Sequence, residues 1–236
     1  LYNQAYKNYN SANDILTGTI YNVSFPILSS IHDDNQLKTA YRKFIRIKAM
    51  ATFPLFMGMA LVATPFMYLL GEQWIDAAPI LQLLCIGGLF AGLETANSDT
   101  LRIKGKSGTI LNLTILHAIL IGTAMIVPYI LNLHYLYYVA GISASYMIRY
   151  MVSCIVSTQL INYRIGELIK DLFPYLAISL LCIVCGYMLS FIISDNIILL
   201  ISQIIFVGAL YLGILYFSGS KIFHEAIEVI TKKTNK

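Results

Sequence analysis

Residues 2–31 form a stretch long enough to cross a bilayer, yet it carries Lys7, Asp14 and a series of asparagines. Asn3, Lys7, Asn10, Asp14, Thr17 and Tyr21 recur at steps of three and four, which places them within about 80° on one face of a helix. A stripe of that kind is polar from one leaflet to the other. Leaving an ionisable side chain in hydrocarbon costs ~2.5 to 3.5 kcal/mol on insertion scales, so such residues face a bundle interior or a water-filled cavity. The spacing therefore predicts a cavity-lining helix over residues 2–31, with the greasier segments that follow as its wall.

Those segments fix the class. Hydrophobic residues make up 58% and charged residues 12% of the 236, and the mean hydropathy is +0.70. Soluble domains carry roughly 25% charged residues, so the composition is that of an integral membrane protein. The expected fold is all-α, a polytopic membrane bundle of about seven transmembrane helices, with spans near 2–31, 44–70, 76–101, 107–131, 135–162, 171–194 and 196–218. Residues 219–236 read as a polar tail. Gly88 and Gly92 in the third span form a small-xxx-small pair that predicts close helix packing within the bundle.

The cations sort by side. Of the 16 Lys and Arg residues, 14 fall in the tail or in the links after spans one, three and five, and the links after spans two, four and six hold none. The positive-inside rule then places the tail in the cytoplasm and the start of the first span on the far side. Lys38, Arg42, Lys43, Arg46 and Lys48 form the densest run, read as a topology signal that meets anionic headgroups. A diphosphate headgroup drawn from the cytoplasmic leaflet is the other use such a run could have.

Arg149 is the sharpest single residue. It lies near the middle of span five, roughly 20 Å from either interface at 1.5 Å per residue, too deep to snorkel easily. It reads either as an anion site, because its donors form a planar fork suited to diphosphate, or as half of an interhelical ion pair with Asp14. Lys7 either faces the cavity or snorkels to the far-side headgroups. Asp14 is also the candidate for proton or sodium coupling, no other cofactor being expected. Glu94, Asn97 and Asp99 make a polar end to span three, where Asp99 and Arg102 are spaced to pair. That end reads as a solvated helix terminus or as a cytoplasmic gate of Glu94, Asp99 and Arg102. His117 reads as a packing histidine, and Cys85, Cys154, Cys182 and Cys185 as buried thiols. No nucleotide-binding loop, metal motif or nucleophile elbow occurs in the chain, so neither a motor, a metal site nor catalytic residues are expected. Nucleic acid is no expected partner, because topology accounts for the cations.

The pattern LYNQAYKNYN, then VSFPILSSI, then FPLFMGMALVATPFMYLLGEQWIDAAPILQLLCIGGL resembles the C-terminal half of Wzx-type polysaccharide flippases, members of the multidrug/oligosaccharidyl-lipid/polysaccharide exporter superfamily. Tyr2, Asn3, Ala5, Tyr6, Phe25, Pro26, Gly71, Glu72, Gln73, Trp74, Ala77, Ala78 and Pro79 carry most of it. The resemblance implies one lobe of a two-lobed transporter of about fourteen helices in a bacterial inner membrane. It further implies an upstream lobe as partner and alternating access that moves a polyprenyl-diphosphate-linked glycan to the outer leaflet, without covalent chemistry. Lys7, Asn10, Asp14, Tyr21 and Arg149 are the cavity candidates by position. The sequence departs from the family at ETANSDTLRIKGK, where Glu94 and Asp99 stand in place of small neutral residues. The start at Leu1 is expected to mark a piece of a longer chain. Other readings are a multidrug exporter of the same superfamily, a seven-span receptor, and a membrane enzyme such as a glycan polymerase or acyltransferase.

Overall fold

The computed structural model describes residues 1–31, 33–218 and 223, with side-chain surroundings left aside for part of the first helix. The predicted tail 219–236 lies outside the described residues, Phe223 excepted. The described chain is helical throughout: α1 (Tyr2–Ser29), α2 (Asp34–Leu61), α3 (Ala63–Leu70), a 3₁₀ turn (Glu72–Ala77), α4 (Ala78–Ile103), α5 (Ser107–Ile130), α6 (Tyr135–Leu160), α7 (Ile165–Met188) and α8 (Asn196–Phe217). Among the described residues, six helices are long and apolar enough to cross a membrane. The helix α1, expected as the first of about seven spans, is not among them, because its polar stripe keeps its mean hydropathy low.

Local chemistry sets the boundaries. Asp33 caps α2 by accepting from the Gln36 amide at 2.9 Å, so the basic run Lys38–Lys48 is helical rather than a linker. Gly71 turns the chain with φ of 130° after α3, a conformation that L side chains rarely adopt. Asn132 (φ 48°) and Asn162 (φ 50°) end α5 and α6 in the left-handed region. The amides of the following residues return to the Pro128 and Thr158 carbonyls at 2.9 Å, which satisfies acceptors that the helix ends leave open.

The core is organised on α4, which packs against α1, α2 and α6. Gly88 and Gly92 make the α2 contact possible. A methyl group added at Gly88 would lie 2.5 Å from the Phe56 ring, and one at Gly92 would lie 2.9 Å from Thr52. The close packing expected from their spacing is therefore present within the bundle. By contrast, α5, α7 and α8 leave Leu111, Ile115, Ile119, Leu180, Ile201 and Ile205 exposed, as a surface solvated by lipid requires. All four cysteines are free, three of them buried and Cys185 half-buried.

One end of the bundle gathers the cationic links. Asp171 at the start of α7, 4% exposed, accepts from Arg42 Nε at 2.8 Å and Nη2 at 3.0 Å. It also accepts from Arg46 and from the Tyr163 hydroxyl, the latter at 2.6 Å. Lys38 reaches Glu167 at 2.9 Å and donates to the Asn162 carbonyl at 2.9 Å, while Lys104 pairs with Asp34. The links after α1, α4 and α6 thus meet at one end, in keeping with their shared charge.

Candidate functional site

Four helices contribute to a polar cluster buried in the middle of the bundle. From α6, Arg149 extends Nη2 to within 3.4 Å of Glu94 Oε1 on α4, and Nη1 lies 3.3 Å from His117 Nδ1 on α5. Glu94 also accepts from Ser98 Oγ at 2.7 Å. From α2, Lys48 is 3% exposed, donates to the Thr95 hydroxyl, and interacts electrostatically with the carboxylates of Asp99 and Glu94. A second polar seam lies beside it, where the Tyr41 hydroxyl donates to Asn97 Oδ1 at 2.6 Å and Asn97 Nδ2 donates to Ser153 Oγ at 3.0 Å.

This geometry corrects two expectations. The ion-pair partner of Arg149 is Glu94 and not Asp14, which stays exposed on α1. The reason is that α4, packed directly on α6, presents a carboxylate to that side chain. The polar end of α4 is also not a solvated terminus: Glu94, Asn97 and Asp99 are 8%, 0% and 1% exposed. Asp99 and Arg102 do pair, at 3.6 Å, as their spacing predicts.

The remaining cavity candidates sit on α1. Lys7 and Asp14 are exposed and Asn10 is half-buried, while the side chain of Tyr21 lies outside what is described. No hydrogen bond or ion pair joins Lys7, Asn10 or Asp14 to Arg149 among the described residues. Tyrosines connect the two regions instead. Tyr2 and Tyr6 stack at 5.6 Å, Tyr6 and Tyr9 lie 6.1 Å apart, and Tyr9 packs on Phe56 at 5.7 Å. Tyr146 of α6 interacts electrostatically with Tyr6 and Arg149, and its ring lies 4.7 Å from that of His117.

Sequence reasoning missed Lys48 and Asp171 as buried charges. The signal was available in each case. Leu37, Tyr41, Phe44, Ile45, Lys48, Ala49 and Thr52 make one buried face at helical spacing, and Leu168, Asp171, Tyr175, Ser179 and Cys182 make another. Lys48 already lies within the expected span 44–70, and extending that helix back to residue 34 places it in line with Leu37, Tyr41 and Phe44 on the buried face.

Residues 1–79 match the family described as "Polysaccharide biosynthesis protein". This chain resembles the Wzx-type polysaccharide flippases. It is 36% identical over 89 residues to an uncharacterized membrane protein in the cps region of Klebsiella pneumoniae, covering 37% of this chain and 18% of that protein. It is 31% identical over 93 residues to the lipopolysaccharide biosynthesis protein WzxC of Escherichia coli (strain K12), covering 39% of this chain and 19% of the relative. Against the teichuronic acid biosynthesis protein TuaB of Bacillus subtilis (strain 168), identity is 30% over 87 residues, or 36% of this chain and 18% of TuaB. The matched stretch thus spans less than a fifth of each of these curated relatives. No solved structure matches the chain. Two of these relatives are named as lipopolysaccharide and teichuronic acid biosynthesis proteins, and the helices of this chain are those of a multi-pass membrane protein.

Proposed function

We propose that the protein moves a polyprenyl-diphosphate-linked oligosaccharide from the inner to the outer leaflet of a bacterial inner membrane, for surface polysaccharide biosynthesis, with its C-terminus in the cytoplasm. The observation that carries this reading is Arg149, a cation held at mid-helix by one carboxylate and one imidazole. Its guanidinium can exchange Glu94 for the diphosphate, because Glu94 keeps Ser98 and the nearby Lys48 when it is released. The polar stripe of α1, exposed at Asn3, Lys7 and Asp14 and half-buried at Asn10, and its bordering tyrosines offer hydroxyls, amides and ring faces of the kind that bind sugars. In this reading no covalent bond is made or broken. Two lobes rock about the loaded cavity, the second being an upstream lobe, and a proton or sodium gradient supplies the drive.

The tyrosine ladder also favours a second reading, a multidrug exporter that stacks aromatic cations on Tyr2 and Tyr6. One experiment separates the two. In cells carrying the full-length protein, Arg149→Ala is expected to abolish surface glycan while the protein stays in the membrane at its normal level. Normal surface glycan in that variant, with dye efflux that depends on Tyr6, would favour the exporter.

A further inference from the structure

Asp99 is a buried carboxylate with one oxygen left without a donor. It is 1% exposed, its Oδ1 lies 3.6 Å from Arg102, and its Oδ2 has no hydrogen-bond partner among the described residues. Burying an ionised carboxylate oxygen without a donor is costly, and a proton on that oxygen removes the cost. The surroundings connect it to Arg149. Lys48 donates to the Thr95 hydroxyl, and Thr95 and Asp99 stand one turn apart on the same face of α4, with Glu94 next to Thr95 in the chain. The ammonium therefore serves two carboxylates, and its interaction with Asp99 is stronger than that with Glu94. Glu94 in turn holds Arg149 at 3.4 Å. Asp99, Lys48, Glu94 and Arg149 thus form a chain of alternating charge carried by α4, α2 and α6.

We infer that Asp99 is a proton-binding site that governs anion binding at Arg149; this rests on the anion-binding reading of Arg149. The proton bonds to Oδ2 and the carboxyl becomes neutral. Lys48 then turns to Glu94, which is held by Lys48 and Ser98, and Arg149 is released toward a phosphate oxygen. The charge balance agrees. Lys48, Arg102 and Arg149 stand against Glu94 and Asp99, an excess of one cation that protonation raises by one more. The groups that act directly on Asp99 are Lys48 on α2 and Arg102 and Glu94 on α4, while Arg149 of α6 and His117 of α5 interact with Glu94. Helix α1, also packed on α4, brings Lys7 and Asp14, both exposed. With Lys48 and Arg102 flanking it, the carboxylate is a poor place for a metal cation. Asp99 lies one turn from the cationic link that follows α4. Its proton is therefore exchanged at that end of the bundle, cytoplasmic in the proposed orientation, and sets affinity rather than supplying the drive.

The test uses the full-length protein in nanodiscs, with inorganic pyrophosphate as probe and calorimetry as readout, from mildly acidic to mildly alkaline pH. The affinity of Asp99→Asn, which is neutral at every pH, is divided by that of wild type at each pH, so that the titration of the probe itself cancels. The ratio is expected to be about tenfold in alkali and to fall towards unity in acid, as wild type takes up its proton. A ratio that does not change with pH would overturn Asp99 as the proton site and leave the anion reading of Arg149 standing. Absence of pyrophosphate binding by wild type would overturn both. Lys48→Gln gives a second measure that does not depend on the folding of Asp99→Asn. Calorimetry in two buffers of unlike ionisation heat counts the protons taken up on binding, and Lys48→Gln is expected to take up fewer than wild type at neutral pH. An equal count in the two proteins would overturn the link through Lys48 on which the proposal depends.

Discussion

Arg149 and Glu94 are unequal partners, and the inequality is measurable. If Arg149 is removed, Glu94 retains Ser98 and has Lys48 nearby; if Glu94 is removed, Arg149 is left with the neutral ring of His117. Breaking a buried pair from one side costs ~3 to 5 kcal/mol, chiefly through the charge left behind. Glu94→Leu is therefore expected to cost near the upper end of that range, Arg149→Leu clearly less, and the double variant less than Glu94→Leu alone. Thermal unfolding of the four proteins in one detergent gives the double-mutant cycle, and equal single-variant losses would contradict the asymmetry. The pair itself was not legible in the sequence. Arg149 stands out as a mid-span cation, but naming Glu94 as its partner needs the packing of α6 on α4. The Asp99–Arg102 pair, one helical turn long, needed only spacing.

At the scale of elements, two joints hold the bundle, and only one could be read in advance. The Gly88 and Gly92 face of α4 against α2 follows from glycine spacing. Gly88→Ala forces a methyl into the buried ring of Phe56 and is expected to cost ~1 to 3 kcal/mol. Adding Phe56→Leu should recover part of it, which unfolding midpoints can check. The second joint, Asp171 with Arg42, Arg46 and Tyr163, ties α2 to α7 and is built from charges that the sequence alone presents as ordinary link residues. Tyr163, in the turn between α6 and α7, is 3% exposed. Burial first, and then its hydrogen bond to the Asp171 carboxylate, holds its phenol above the ordinary range. A folded-state value raised above the unfolded one, ~10 for tyrosine, gives a contribution that is complete below that pH and is lost as pH rises past it. Stability is therefore expected to stay flat in this respect through neutral pH and to fall in alkali. Tyr163→Phe should lose about 1 kcal/mol at neutral pH and show a shallower alkaline decline. An identical alkaline decline in the two proteins would exclude Tyr163 as its source.

For the whole molecule, the decisive pattern is the alternation of charged and uncharged links. It predicts the orientation of a bundle that composition already makes all-helical, and the described chain has that form, with six helices apolar enough to span and the first set apart by its polar stripe. The cationic links meet at one end through Lys38, Arg42 and Lys104, so Lys106 and Asn132, in the successive turns that flank α5, should lie on opposite faces of the membrane. Single cysteines placed at these two exposed positions in an otherwise cysteine-free protein are expected to react with an impermeant maleimide from opposite sides. Reaction from the same side would overturn the topology. The site divides along the same line: its cation and the polar face of α1 are legible in the sequence, whereas Lys48, His117 and Glu94 become one cluster only when α2, α5 and α6 close around α4.

Leaflet transfer of the lipid-linked glycan is the central claim, and it can be measured without reference to any side chain. Full-length protein is reconstituted into sealed vesicles seeded in both leaflets with a polyprenyl-diphosphate oligosaccharide, and an impermeant glycosidase is added outside. The account predicts that wild type makes nearly all of the glycan cleavable, while vesicles without protein, or with Arg149→Ala, release only the outer-leaflet share. Release by wild type no greater than in protein-free vesicles, with and without an imposed ion gradient, would contradict it.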